Sequence, residues 1–412
     1  MDKKQIPALP PLDEAPADDD RFVVRDTSSG SDKSLRVDRM LERSADQVSE
    51  HSNEEGGIHG IPEGERALHT ADIGTTKGTV AAGDDSRFLT GVNDIINGKF
   101  QIAQTGTEFV SPASGAYDLD GWVREGMGGA VTITRVAGSV TGSYARESNV
   151  TTAKTTLAAG DYEAMNTRIL GYDCVKYINA AFVVALRVKS SLTGIHCINL
   201  FNGTSSFVHE FNILAADTWQ DVVVPVPMGA PAITSSTNGI GLSVRIAQAT
   251  GTTYQTATTD EWVTGNFLGT ANQVNGLATV GNKLTIEDVR INLGTAPLPN
   301  VTGYDAELAR CEYYQRLFDG TGGASVISSG VMLNTTAFSG FADIHMRASP
   351  VLSILSGTLE LRTDSTATAT SPVFTKRGST LISSATASTA LTTGAFAMLR
   401  INNGIAVLRA QL

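Results

Sequence analysis

The sequence is poor in charge, in aromatic rings and in sulfur. Charged residues make up 18% of the 412 positions and aromatic ones 6%, and there are three cysteines. None of Cys174, Cys197 and Cys311 belongs to a C-x-x-C pair, and an odd count closes no disulfide framework. Three buried or half-buried thiols in a reducing cytosol are expected. No apolar run reaches 18 residues, which argues against a membrane-spanning helix. Lys3 and Lys4 precede a proline-rich polar stretch, which does not read as a signal peptide. Basic excess is absent as well. The formal net charge is -11, and residues 1–66, with 9 Lys/Arg and 16 Asp/Glu, hold most of it. Such a balance does not suit a nucleic-acid surface.

Catalytic and metal signatures are also missing. The six histidines form no H-E-x-x-H or related spacing. His196-Cys197 and His209-Glu210 lie in strand-like runs, where neighbours point to opposite faces, so no Cys–His dyad is expected. The glycine-rich run 74–88 lacks the spacing and the Gly-Lys-Ser/Thr end of a phosphate loop. Asp84 and Asp85 read as a solvated turn or an ion pair with Arg87 rather than a metal site. Catalytic residues, cofactor and metal are therefore all expected to be none.

What is present is glycine (41 residues), threonine, serine and asparagine, which suits many short strands joined by tight turns. The length calls for two or three domains. The organising stretch is 97–135. An extended run at Phe100–Ala103 leads to a turn-rich loop, then Tyr117, an Asp-Leu-Asp-Gly turn and Trp122, then alternation through Val131, Ile133 and Val136. Strand signals continue at 182–188, 195–201, 207–213, 219–226, 240–246 and 284–293, with Thr193-Gly194, Asn202-Gly203 and Asn238-Gly239 as hairpin turns. That pattern predicts a β-sandwich or jelly roll.

Ahead of it, residues 1–20 are too rich in proline and acid to form a core and read as an extended peptide that orders on a partner. Residues 21–26 and 34–38 flank a Gly/Ser turn and predict a hairpin, followed by a short helix over 37–48. Residues 51–70 read as a linker. Residues 89–96 read as one or two helical turns whose Val92, Ile95 and Ile96 would pack about a threefold axis. After the sandwich, 304–318 predicts a helix capped by Asp305, with Leu308, Cys311, Tyr314 and Leu317–Phe318 on one side. Residues 321–412 are again all strand.

The order Asn-Gly-x-Phe-x-Ile-x-Gln, then Asp120-Gly121-Trp122, Trp219 before a Val-Val-Pro strand, and Glu-Leu-x-x-Cys-x-x-Tyr-Tyr resembles the β-sandwich region of bacteriophage tail-fibre and receptor-binding proteins with carbohydrate-binding-module-like domains. The hairpin segment resembles a module near the N-terminus of such fibres, and the 74–88 run is similar to a short element that recurs in them, usually just before a new trimeric segment. In that family the tryptophan usually follows Asp-Arg, whereas Asp-Gly precedes it here. The resemblance implies a mainly β protein: a docking peptide (1–20), a hairpin-plus-helix attachment module (21–50), a linker and short trimeric stem (51–97), a large β-sandwich (98–300), a connecting helix (301–319) and a small C-terminal sandwich (320–412). It further implies a homotrimer assembled in the host cytoplasm and carried on the outside of the virion. Such a trimer joins tail, baseplate or neck proteins through residues 1–50 and presents sandwiches to host surface polysaccharide, without nucleic acid or membrane insertion.

Two rival readings are a purely architectural collar or decoration protein and a glycan-cleaving tail-spike. The latter is disfavoured because the chain lacks the repeat of a long β-helix. For ligand contact the sequence singles out Trp262, with Tyr254, Asp260 and Asn266, in the long polar stretch 252–275, since sugars stack on aromatic faces and bond to amides and carboxylates. Trp122 and Trp219 sit in strand patterns and are expected in the core.

Overall fold

The computed structural model describes Arg21–Arg25, Asp32–Arg36 and residues 93–231 and 237–410. The chain divides into two compact units, 1–85 and 86–412. In the first, β1 (Arg21–Arg25) and β2 (Asp32–Arg36) pair antiparallel, with Arg21 opposite Arg36, as the Gly/Ser turn predicts. The docking peptide, the 37–48 helix, the linker, Asp84, Asp85 and Val92 lie outside the described residues.

The second unit begins as a sandwich of two antiparallel sheets. The front sheet has the order β13 (Trp262–Thr264), β10 (Ser205–Ile213), β9 (Gly194–Phe201), β12 (Ile240–Thr250), β7 (Tyr162–Leu170), β4 (Trp122–Met127). The back sheet has the order β11 (Gln220–Val226), β8 (Phe182–Ser190), β14 (Lys283–Leu293), β6 (Tyr144–Thr152), β5 (Ala130–Ala137), β3 (Glu108–Val110). Alternation decides what lies between them. On β12, Leu242, Val244 and Ile246 point inward and join Trp122, Val184, Leu186, Leu200, Phe207 and Ile286 in one buried cluster. Each such aliphatic side chain contributes about 1.5–3 kcal/mol by leaving water. Ser243, Arg245 and Ala247 consequently face the other side.

Two buried ion pairs brace the same end of the sandwich. Arg146 on β6 reaches Asp118 with both side chains fully buried. Arg124 on β4 reaches Glu163 on β7 at 2.6 Å. Room for the second pair comes from Gly126, where a Cβ would stand 2.1 Å from Glu163 Oε2.

Residues 93–100 form turns, and the described end of the expected stub, with Ile95 and Ile96, belongs to the sandwich. Ile95 is 0% exposed within the main cluster, and Ile96 packs with Ile102, Leu170, Cys311 and Tyr314. These side chains are satisfied within one chain, so they supply no argument for a trimer. Trp219 also departs from expectation. It is half-buried, with Lys189 Nζ 5.1 Å from its ring, because it precedes the outermost strand of the back sheet. Trp122, by contrast, is fully buried.

The connecting helix is shorter than its periodicity predicts. It covers Tyr304–Glu312, its N-cap is Gly303 with no side-chain cap, and Asp305 lies in the first turn. Residues of the YYQRLF run become β15 (Gln315–Asp319), because they pair with β23 (Ile405–Arg409) near the far end of the chain. That long-range ladder outweighs local helix preference. Glu307 accepts the Asn97 N–H at 2.5 Å and Arg310 donates to the Asn93 carbonyl, which docks the helix on the sandwich.

The C-terminal region closes further than two facing sheets. Strands β16 (Ala324–Met332), β17 (Ala337–Ala342), β21 (Thr380–Ala387), β20 (Thr366–Arg377), β19 (Thr358–Arg362) and β22 (Phe396–Asn402) form a closed barrel. A three-stranded sheet of β15, β23 and β18 (Val351–Ile354) packs beside it. Small interior residues, Ala367, Ala369, Ala385 and Ala397 among them, fill the barrel alongside Phe338, Leu361 and Leu399, and closure leaves no unpaired ladder edge in it.

Candidate functional site: a groove on the front sheet

The outer face of the front sheet is half covered and half open. The long connection after β12 folds back over one half. Ser206 Oγ donates to the Gly265 carbonyl and accepts the Phe267 N–H, Gln273 Nε2 donates to the Ala247 carbonyl, and Thr270 and Asn272 both bond Glu210. Beneath it, Ala164, Cys197, Val208, Ala247 and Leu268 form an apolar cluster with Tyr162, Tyr254 and Phe267 at its margin.

The open half is a groove of about 410 Å³. Strand register sets its floor. Arg245 on β12 lies directly opposite Asn199 on β9 and Asn166 on β7, and one step along, Ser243 lies opposite Phe201 and Arg168. Of these, Arg245, Ser243, Phe201 and Arg168 line the groove together with Tyr162, Glu125 and Asn266, while Asn199 and Asn166 are buried beneath it. Asn166 Nδ2 donates to Glu125 Oε1 at 2.7 Å, leaving its buried Oδ1 without a partner. Arg168 pairs with the same Glu125 oxygen at 3.2 Å.

Arg245 is the unusual member. It is only 4% exposed. Its Nε donates to Asn199 Oδ1 at 2.7 Å and its Nη1 to Asn266 Oδ1 at 2.8 Å, while its guanidinium carbon stands 4.7 Å from the Phe201 ring centre. Its Nη2 has no partner, and no carboxylate lies within ion-pair distance among the described residues. Burial pushes the guanidinium down to about 10, so it is still charged at neutral pH. The Asn266 amide, the Ser243 hydroxyl and the fixed Arg245 cation, walled by Phe201 and Tyr162, can hold a polyhydroxylated ligand through directed hydrogen bonds and one or two ring faces.

The four residues singled out by sequence are dispersed. Asn266 lines the groove and orients Arg245. Tyr254 meets Tyr162 at 4.7 Å between ring centres and so supports the wall from beneath the covering loop. Asp260 is exposed and bonds His209 Nδ1 at 2.5 Å. Trp262 is on edge strand β13 and packs against the core, 5.8 Å from Phe207. Arg245 itself sits in a strand that the sequence marks clearly. The signal that would find it is a lone arginine in the outward register between Leu242, Val244 and Ile246. Tyr162 and Arg168 belong to β7, whose mixed polar sequence carries no clear alternation and is not among the strands that the sequence marks.

Nothing else described competes as a chemical centre. No cluster of three or more His, Cys, Asp or Glu that would hold a metal occurs among the described residues. Ser190 Oγ and His196 Nε2 are 3.1 Å apart, but both are sealed in the sandwich and His196 Nδ1 is directed at the Gly194 carbonyl. All three cysteines are buried and free, and burial raises each thiol, Cys197 to about 11.

No protein-family model matches this chain, and no curated protein sequence matches it. Solved structures give distant likenesses. A family 4 carbohydrate-binding module shares 12% identity over 48% of this chain and 99% of its own, with a TM-score of 0.29. The enzymatically active domain of tailspike protein 4 from bacteriophage CBA120 shares 12% over 49% of this chain and only 22% of its own, at 0.27. A carbohydrate-binding module solved with β-1,4-galactotriose shares 12% over 50% of this chain and all of its own, at 0.26. At such identities and scores these are likenesses alone, and neither the ligand nor the activity of this chain rests on them.

Proposed function

We propose that this chain is a non-enzymatic virion fibre protein whose sandwich binds host-surface glycan in the front-sheet groove. The observation that carries the reading is the pairing of an open, polar, cation-bearing floor with two aromatic walls on a rigid sheet. Sheet-borne side chains are held by register and so are pre-organised for a ligand of fixed hydroxyl geometry. The resemblance of the N-terminal segments to virion-attachment elements supports docking through residues 1–50 to tail, baseplate or neck proteins. It also supports a homotrimer on the outside of the particle. Three linked copies convert weak single-site binding into retention of a cell.

The test is retention of the full chain on capsule, cell-wall and lipopolysaccharide fractions of the host. Phe201→Ala and Asn266→Ala are expected to weaken retention about tenfold, a loss of about 1.4 kcal/mol, with the fold intact. No retention on any fraction leaves the purely architectural reading. Release of reducing ends supports the enzymatic one. Deleting residues 2–20 is expected to abolish incorporation into particles, and normal incorporation refutes the anchor.

A further inference from the structure

The groove is built around a charge with no direct ion-pair partner among the described residues; Glu125 acts on it only through space and is itself paired with Arg168. A guanidinium taken out of water without a counter-ion costs free energy, and buried arginines are normally matched by a carboxylate. This chain follows that rule at Arg146 and Arg124, each of which has a buried Asp or Glu partner. Arg245, equally withdrawn, does not. Its neighbours bind it through amide oxygens of Asn199 and Asn266, which fix the plane of the fork without cancelling its charge. The one nitrogen left over is Nη2, on a residue that lines the groove.

The positive character continues beyond the groove. Arg168 lines both the groove and a second cleft of about 950 Å³ between the sandwich, the connecting helix and the barrel. Within that cleft stand Arg347 and Lys376, neither of them in an ion pair with a carboxylate among the described residues. Asn238 and Arg347 exchange two hydrogen bonds of 2.8 and 2.9 Å, and Lys376 Nζ bonds the Arg347 carbonyl at 3.1 Å, so the cations are fixed in place. The acids in the same region are already engaged: Glu125 with Arg168, Glu312 with Arg316 and Asp94 with Lys176. Asp173, near Asp94, also lines the cleft.

From this arrangement we propose that the ligand is an acidic glycan, and that a sugar carboxylate seated in the groove serves as the counter-ion of the Arg245 guanidinium. The inference rests on the glycan-binding reading and names its substrate class. A carboxylate supplies the missing counter-ion, and a charge-assisted bond from a desolvated guanidinium is among the stronger single contacts available. Ser243 and Asn266 line the same groove and suit the hydroxyls beside a sugar carboxylate. Further acidic residues of the polymer then run past Arg168 towards Arg347 and Lys376.

The experiment compares retention of the full chain on polygalacturonate, alginate and hyaluronan, each native and carboxyl-reduced, beside neutral and sulfated polysaccharides. Expected is retention on at least one native uronic polymer, weakened tenfold or more by carboxyl reduction. Arg245→Met should abolish the difference between native and reduced polymer without lowering the unfolding temperature, and Arg245→Lys should restore part of it. Equal retention on native and reduced polymer, or on neutral polymers alone, overturns the acidic assignment and leaves the glycan-binding reading standing. Equal retention on sulfated and uronic polymers that Arg245→Met does not change shows ion exchange on the surface and also overturns it. Retention on none of the panel, nor on host fractions, removes both.

Discussion

Arg146 and Asp118 meet through two parallel hydrogen bonds, Nε to Oδ1 at 2.8 Å and Nη2 to Oδ2 at 2.6 Å, with neither side chain exposed. Asp118 also accepts the Leu119 N–H, so this pair ties the loop ahead of β4 to the back sheet. Removing one partner strands a buried charge. Asp118→Asn is expected to cost about 3–5 kcal/mol in denaturant unfolding. Adding Arg146→Met should recover a large part of the loss, since the stranded charge goes with it. A double variant no more stable than the single one shows that the pair is not the source.

Arg245 should behave in the opposite sense. Its charge is buried without a carboxylate, so Arg245→Met is expected to leave the protein equally stable or up to about 2 kcal/mol more stable. A fall of several kcal/mol would show that its bonds to Asn199 and Asn266 are chiefly structural. The measurement is the urea midpoint at unchanged slope.

Trp262→Ala tests the sequence expectation that this residue touches ligand. Because the ring packs on Phe207 at the edge of the core, the substitution should cost about 1–3 kcal/mol, below the range for a fully buried tryptophan. Glycan retention by the folded fraction should not change. Unchanged stability with lost retention would move the binding site to the edge strand.

His196 gives the sandwich an acid limit. The ring is 1% exposed, stacks on Phe211 and bonds Ser190, and burial holds its pKa below the ordinary histidine value. The folded protein keeps it neutral while the unfolded chain binds a proton below about pH 6.5. The unfolded state then holds more protons, so this contribution to stability is present above that pH and is lost as pH falls through it. Between pH 7.5 and 5 the loss is at most about 2 kcal/mol. His196→Asn should lose less stability than the parent over the same interval, and an identical loss sinks the assignment.

Oligomeric state needs its own measurement, since Ile95 and Ile96 are consumed within one chain. Sedimentation equilibrium of the full chain is expected to give three times its 43.3 kDa mass. A stable monomer at micromolar concentration refutes the trimer.

The sequence by itself determined the class of fold. Gly- and Asn-centred turns at regular spacing, with alternation such as Leu242-Ser243-Val244-Arg245-Ile246, fix strands because inward and outward faces are written into every second residue. It also anticipated the burial of Trp122 and the three cysteines, though the same reasoning misplaced Trp219, which precedes an outermost strand. Tertiary structure decided the rest. Whether 315–319 extends a helix or becomes a strand depends on a partner some 90 residues away, which local periodicity does not encode. Whether Ile95 and Ile96 meet another chain or their own core depends on how the chain turns back at Gly98, where a Cβ would stand 2.2 Å from the Val289 carbonyl oxygen. The groove is a product of register: Phe201, Ser243 and Arg168 are far apart in sequence and adjacent across three strands. The covering loop then hides Tyr254 beneath itself, gives Asn266 to the floor and sends Trp262 to the core. Those four residues look alike in a polar stretch, and only hydrogen bonding of the loop to the front sheet separates their roles.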